Sequence, residues 1–246
     1  MRTRSLAAVS AGSALGLAVL AHSLPAVTVL PRVRRRLFPR LSGAGRVGHV
    51  ALTFDDGPDP KATPALLGEL DRLGWKATFF MLGMMVDRDR GLAAEVAAAG
   101  HEIALHGYEH RNHLYRGPAA VLGDLRRGFD TVATATGTVP TLFRPPYGVL
   151  SSAGLTSALL IGLRPVLWTS WGRDWTAEAT GETVLCELTA GVRSRRGYAG
   201  PTLLLHDSDC TSEVGSFHAM FGALPLLGEW ANSEGWEVGT LTDHFQ

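Results

Sequence analysis

Cysteine is scarce in this sequence. Cys186 and Cys210 are the only two in 246 residues, so at most one disulfide can form, and a disulfide framework is excluded. Either the two pair in an oxidising compartment or they stay as unpaired, mostly buried thiols. Acid is missing from the first 46 residues, which hold eight arginines (Arg2, Arg4, Arg32, Arg34, Arg35, Arg36, Arg40 and Arg46). The 23 acidic residues therefore face only 15 of the 23 basic ones beyond Arg46, and a formal charge of zero hides a body at −8. An acidic body excludes a nucleic-acid-binding domain, which needs a basic face.

A long apolar run is also lacking. The longest, from Leu6 to Ala21, has 16 residues, whereas a helical span takes about 20. With MRTR before it and small residues near Ala21–Ser23, residues 1–30 are expected to be an export signal or a short membrane anchor. The segment RVRRRLFPR, Arg32 to Arg40, pulls the other way, since such basic flanks stay on the cytoplasmic side. Residues 31–47 are expected to form a basic linker. The chain is expected to be secreted or attached to the cell envelope, and nothing in it implies a protein partner. No repeat or low-complexity tract interrupts the remainder, whose bulk values, 46% hydrophobic and 19% charged over the whole chain, are those of a globular protein.

What is present from Gly48 onward is an alternation of strand and helix. His49–Phe54, Ala77–Leu82, Glu102–His106, Thr141–Arg144, Pro165–Ser170, Thr202–His206 and Trp236–Thr240 read as seven strands, nearly continuous in apolar residues. Strands buried on both faces look like this, and parallel sheets bury both faces under crossover helices. Leu66, Leu67, Leu70 and Leu73 share one helical face, as do Val121, Leu122, Leu125, Phe129 and Val132. Further helices are expected over Ala153–Ile161, Thr183–Val192 and His218–Asn232. The pattern predicts a parallel α/β fold, either a barrel or an open sheet.

The polar residues then collect at one edge. Asp55 and Asp56 follow the first strand, His106 ends the third, Arg144 the fourth and His206 the sixth, while Trp171 to Trp175 follow the fifth. Parallel α/β folds gather their sites at the carboxyl ends of the strands. Adjacent aspartates repel each other, so the pair implies a cation or a division of labour. His106 and His110 are four residues apart; on a helix they would share a face and suit one metal ion together with one of the two aspartates. His101 and His113 compete as ligands, and His113 is expected at the cleft rim or on the surface. Trp168 is expected in the core, whereas Trp171, Trp175, Tyr108 and Tyr147 can stack on sugar rings.

TFDDGP, HGYEH, RPPYG, RDW and LLLHD resemble, in order, the five motifs of the polysaccharide deacetylases, the NodB-homology family of carbohydrate esterases. The resemblance implies a distorted (β/α)7-type barrel with parallel strands, a single catalytic domain over 48–246, and metal-dependent removal of acetyl groups from an acetylated glycan. By resemblance, Asp55 is the general base, and Asp56, His106 and His110 hold a divalent metal, zinc being the first expectation. His206 is the general acid, Arg144 holds Asp55, and Asp174 orients His206. Tyr147 supplies a backbone N–H to the oxyanion, and Leu204, Trp175 and Trp171 shape the substrate pocket. Two positions depart from the family pattern: Gly107 stands where a hydroxyl residue is usual, and Trp171 replaces the first acid of the fourth motif. Three alternatives stay open: an inactive glycan-binding module of the same fold, a hydrolase of non-sugar amides, and an O-acetyl esterase.

Overall fold

In the computed structural model, residues 16–193 and 199–246 are described. Strand β1 (His49–Asp55) is buried along its whole length, and the sheet grows outward from it. It pairs in parallel with β2 (Thr78–Leu82) on one side and β7 (Thr202–His206) on the other. Its first three residues also pair with β8 (Glu237–Gly239). Beyond β2 come β3 (Glu102–Gly107), β4 (Leu142–Phe143) and β5 (Arg164–Pro165), and beyond β7 comes β6 (Ser170–Trp171). Every pairing between these strands is parallel. The result is a half-barrel ringed by helices, with all its carboxyl ends on one rim.

The expected fifth strand is a correction. Pro165–Ser170 does not run as one strand but breaks into β5 and β6 with irregular backbone between them. Arginine side chains take its carbonyls: Arg144 donates to the carbonyl oxygens of Val166 and Leu167, Arg34 to that of Trp168 and Arg35 to that of Thr169. Backbone acceptors satisfied by side chains need no neighbouring strand, so the sheet, of eight strands among the described residues, stays open at this point.

The helices form where the apolar periodicity places them. α3 (Thr63–Leu73) buries Leu66 and Leu70 and ends at Gly74, in the left-handed region. α4 (Gly83–Arg88) is followed by α5 (Arg90–Ala98), whose Asp89 cap accepts the Leu92 N–H. α6 (Pro118–Thr136) buries Val121, Leu125 and Val132, and α7 (Ser152–Leu160) is capped by Ser151. α8 (Gly181–Arg193), α9 (Phe217–Glu234) and α10 (Leu241–His244) complete the ring. One apolar cluster joins Leu52, Phe54, Phe79 and Leu105 of the sheet to these helices. Full burial of each such side chain contributes about 1.5–3 kcal/mol.

The residues before β1 lie against this body. α1 (residues 16–23), a 3-10 turn (Leu24–Val29) and α2 (Pro31–Leu37) bring Arg34 to the sheet, where it is only 3% exposed. Among the described residues no single helix is long and apolar enough to cross a membrane, although Gly16–Val29 and Pro31–Leu37, bent by 91°, pass that test as a pair. Residues 1–15, half of the expected signal or anchor, lie outside the described residues. Cys186 and Cys210 are both free and exposed, which overturns the expectation of buried thiols.

Candidate active site

β1 ends in Asp55, and the next residue, Asp56, turns the chain with φ at +77°. Few non-glycine residues adopt that region, aspartate being among those that do. The two carboxylates therefore point to different partners although they are adjacent in sequence. Asp55 Oδ1 accepts from Arg144 Nη1 at 2.6 Å, and that guanidinium is wholly buried. Arg144 also donates to Thr53 Oγ1 at 2.8 Å and lies 3.9 Å over the Phe80 ring. Its geometry is fixed on every side, so it holds Asp55 in one orientation.

Asp56 faces the histidines. His106 Nδ1 donates to the Arg144 carbonyl at 2.8 Å, which leaves the lone pair on Nε2. That atom lies 3.3 Å from Asp56 Oδ1, and His110 Nε2 lies 3.5 Å from the same oxygen. Neither contact has hydrogen-bond geometry, and Asp56 Oδ1 is buried without a partner. The other oxygen, Oδ2, accepts from Thr211 Oγ1 at 2.5 Å. Burial alone would raise the Asp56 carboxyl, but His106 beside it, with His206 and His110, holds it well below the usual carboxylate range. Burial also pushes His110 down to about 4, so its imidazole is neutral at pH 7 and fit to be a ligand. One ligand atom from each of Asp56, His106 and His110 falls within 4.8 Å of the other two. A buried, unpartnered carboxylate oxygen facing the Nε2 atoms of two imidazoles is the donor set of a divalent cation.

Across the cleft stands His206, at the end of β7 and in register with Asp55. Asp174 accepts both its backbone N–H, at 2.7 Å, and its Nδ1–H, at 2.9 Å. Burial would lower His206, but the Asp174 carboxylate first, and Asp56 and Asp55 after it, raise it to about 9. A cation beside Asp56 and Asp55 would offset their part, while the Asp174 contribution would stay. The pocket between these groups holds about 240 Å3 and is lined further by Tyr147, Trp168, Trp171, Trp175, Leu204, Thr211 and Ser212. The eleven residues that the family resemblance assigns to the site thus meet at this rim: the pocket or its immediate supports include Asp55, Asp56, His106, His110, Arg144, Tyr147, Trp171, Asp174, Trp175, Leu204 and His206.

A match to the polysaccharide deacetylase family covers residues 42–166. The chain belongs to that family. It is 32% identical over 173 residues to the peptidoglycan-N-acetylglucosamine deacetylase PgdA of Listeria monocytogenes, an alignment covering 69% of this chain and 34% of that protein, so it spans about a third of that relative's length. It is 30% identical over 204 residues to a chitooligosaccharide deacetylase of Bradyrhizobium, covering 78% of this chain and 89% of the other. Among solved structures, a peptidoglycan N-acetylglucosamine deacetylase in complex with a naphthalenyl N-oxidanyl-benzamide superposes with a TM-score of 0.74 at 27% identity, covering 82% of this chain and 91% of that one.

Several placements differ from the sequence reading. HGYEH does not enter a helix: β3 stops at Gly107, whose φ of +107° breaks the strand, and the chain loops back to present His110. The rings of His106 and His110 still come within 5.2 Å. His113 is not at the rim but fully buried, stacked on Phe143 at 6.0 Å. His101 sits beside the amino end of β3, where its Nδ1 accepts the Ala77 N–H, far from the ligand cluster along the strand. Trp168 lines the pocket instead of filling the core.

Gly107 also has a positive reason to be glycine. An added Cβ would come 3.1 Å from Asp124 Oδ2, in a backbone conformation that side chains rarely adopt. Asp124, which sequence reasoning missed, accepts the N–H groups of Tyr108 and Glu109 at 3.0 and 3.3 Å and pairs with Arg116 at 2.9 Å. It ties down the loop that carries His110. Gly128 on α6 allows this approach, since a Cβ there would lie 2.8 Å from the Gly107 backbone. Thr211 and Asp207 were missed as well. Asp207, raised by burial to about 7, accepts from Thr63 Oγ1 at 2.7 Å beneath the turn at Gly57. Its position next to His206 was the only signal available.

Proposed function

We propose that this chain is a metal-dependent deacetylase that hydrolyses the acetamido group of N-acetylated sugars in a polysaccharide or oligosaccharide. The observation that carries the reading is the division of labour between the paired aspartates. Asp56 presents an unpartnered oxygen to His106 and His110, while Asp55 is clamped through Oδ1 by Arg144 and keeps Oδ2 farther out, 3.9 Å from His106 Nε2. A cation held by Asp56, His106 and His110, zinc being the first candidate for two imidazoles and one carboxylate, would polarise the acetyl carbonyl and acidify water.

The other steps belong to the chain's own groups. Asp55 takes the proton from the attacking water as the new C–O bond forms. Its Arg144 partner keeps it aimed. The Tyr147 backbone N–H, in a residue held at φ +60° after two prolines, is assigned to the developing oxyanion. His206, kept protonated by Asp174, donates to the sugar nitrogen as the C–N bond breaks. Acetate and a free amine leave. Leu204 and Trp175 close the pocket around the acetyl methyl, and the exposed face of Trp171 offers a platform for a pyranose ring.

Residues 1–30 are proposed as an export signal or anchor, and 48–246 as the catalytic domain. The exposed apolar residues Leu17, Val19, Leu20, Leu24 and Leu30, followed by the basic run from Arg32, support envelope association. The test of function is product analysis. The full chain is incubated with N-acetylglucosamine oligomers, peptidoglycan, acetylated xylan and small non-sugar amides, and acetate is measured. Release from the N-acetylated glycans supports the reading. Release only from the esters or the non-sugar amides, or binding without release, overturns it.

A further inference from the structure

A second cavity, of about 310 Å3, opens beside the catalytic pocket and shares Tyr147, Trp168 and Trp171 with it. The segment before β1 builds its far wall, through Arg34 and Arg35 among others. Neither arginine is ion-paired among the described residues. Arg34 gives Nη1 to the Thr28 carbonyl at 3.0 Å and Nη2 to the Trp168 carbonyl at 2.6 Å, and its Nε is buried without a partner. Arg35 gives Nη2 to the Thr169 carbonyl at 2.7 Å and is otherwise open to the cavity. Burial, and then the charges of Arg35 and Arg144, hold the Arg34 guanidinium down at about 10, so it remains a cation at neutral pH. Of these three neighbouring arginines only Arg144 has a carboxylate partner, Asp55. Among the described residues, the one acid lining the cavity is the exposed Glu187, on α8.

A buried cation without a counter-charge, as Arg34 is, is costly, and an anion entering the cavity beside it and the exposed Arg35 would relieve that cost. The floor says what carries the anion. Trp168 and Trp171 stack at 5.8 Å with 23° between their planes, and Trp171 meets Trp175 edge-on at 5.1 Å. This aromatic row runs from the catalytic pocket, where Trp175 abuts His206, to the basic cavity, and sugar rings pack on such faces.

We infer that the Arg34–Arg35 cavity is an anion subsite for the glycan, taking a carboxylate or phosphate carried on a ring next to the one that is deacetylated. The inference rests on the deacetylase reading for its substrate class. It assigns the segment before β1 a part in substrate selection, because without it the cavity has no basic wall.

The test uses the full chain carrying Asp55→Asn, so that the acetyl group is retained during calorimetry. The ligands are oligomers of equal length: neutral N-acetylglucosamine, one containing the lactyl carboxylate of N-acetylmuramic acid, and one ending in a phosphate. One of the charged oligomers is expected to bind more tightly than the neutral one, and which of them does so identifies the anion. Arg35→Gln, at an exposed position that does not threaten folding, should remove about tenfold of that affinity and leave the neutral oligomer unchanged. Glu187→Gln should shift the charged oligomer the other way. Equal binding of all three, or an Arg35→Gln loss of the same size for neutral and charged ligands, overturns the subsite. Acetate release from the neutral oligomer by the chain with Asp55 intact reports on the deacetylase reading separately, so failure of one is not confused with failure of the other.

Discussion

Two pairs of adjacent histidines in this molecule, one at each end of the sheet, have opposite chemistry. At the foot of the half-barrel, His244 Nε2–H donates to the carbonyls of Gly43 and Gly200, at 3.2 and 3.1 Å. Its Nδ1 is therefore an acceptor, and it takes the Nδ1–H of His49 at 2.9 Å. At the rim, His106 Nδ1–H is spent on the Arg144 carbonyl, and its remaining lone pair confronts a carboxylate oxygen that also has no donor. The foot pair closes on itself and the rim pair is left open. Proximity of two imidazoles says little; whether the hydrogen-bond count closes separates a structural pair from one built for a ligand.

The comparison breaks first, and by the largest effect, at Asp56. Asp56→Asn removes a charged ligand, so cation content measured on the purified protein should fall from one equivalent to near zero and acetate release should disappear. His244→Gln should leave cation content at one equivalent. Equal loss in both variants would mean that the two pairs do not differ as described.

Asp174→Asn comes next. A positioned general acid contributes about 10²–10⁴-fold, and part of that depends on Asp174 holding His206 in its charged form. Activity needs the protonated ring and is lost as pH rises through its pKa. Removing the carboxylate that raises this pKa should move the alkaline limb of the kcat profile to lower pH. A profile that only shrinks, with its limb in place, would assign the acid to another group.

Arg144→Met attacks the buried Asp55 pair. Breaking such a pair by removing one partner costs about 3–5 kcal/mol, which urea unfolding would show as a lowered midpoint. Four carbonyl and side-chain acceptors lose their donor at once. An unchanged midpoint would mean that the guanidinium is not needed to hold the broken strand between β5 and β6.

The smallest effect belongs to the foot. Burial lowers His244 from 6.5 to about 4 in the folded chain, and lowers His49 as well. The unfolded chain thus takes up protons first as pH falls. Stability is full above 6.5 and declines as pH drops from there toward about 4, by about 2 kcal/mol for one such group at pH 5. Urea unfolding at pH 7 and pH 5 measures the decline, and His244→Gln should reduce it.

Much of this architecture was legible in the chain because parallel strands buried on both faces read as unbroken apolar runs. β1, β2, β3 and β7 have that character and appear where expected. The segment around Trp168 looked the same but is held by three arginines, two of them from the segment before β1, and no local pattern signals that. At the site, the residues that end strands were legible, since the topology sends every carboxyl end to one rim. The groups that hold them in place were not. Asp124 reaches the His110 loop from α6, and Thr211 reaches Asp56 from beyond β7. Both are tertiary contacts between positions far apart in sequence. His113 was misplaced because spacing alone cannot say which face a loop turns inward.

The most direct test of the central claim is acetate release from an N-acetylglucosamine oligomer by the chelated full chain as zinc is added back, with Asp55→Asn measured in parallel. No release is expected without the cation, full recovery is expected at one equivalent, and the Asp55→Asn variant should bind the cation equally well but release no acetate. Release that persists after the cation is stripped, or that survives Asp55→Asn undiminished, would contradict it.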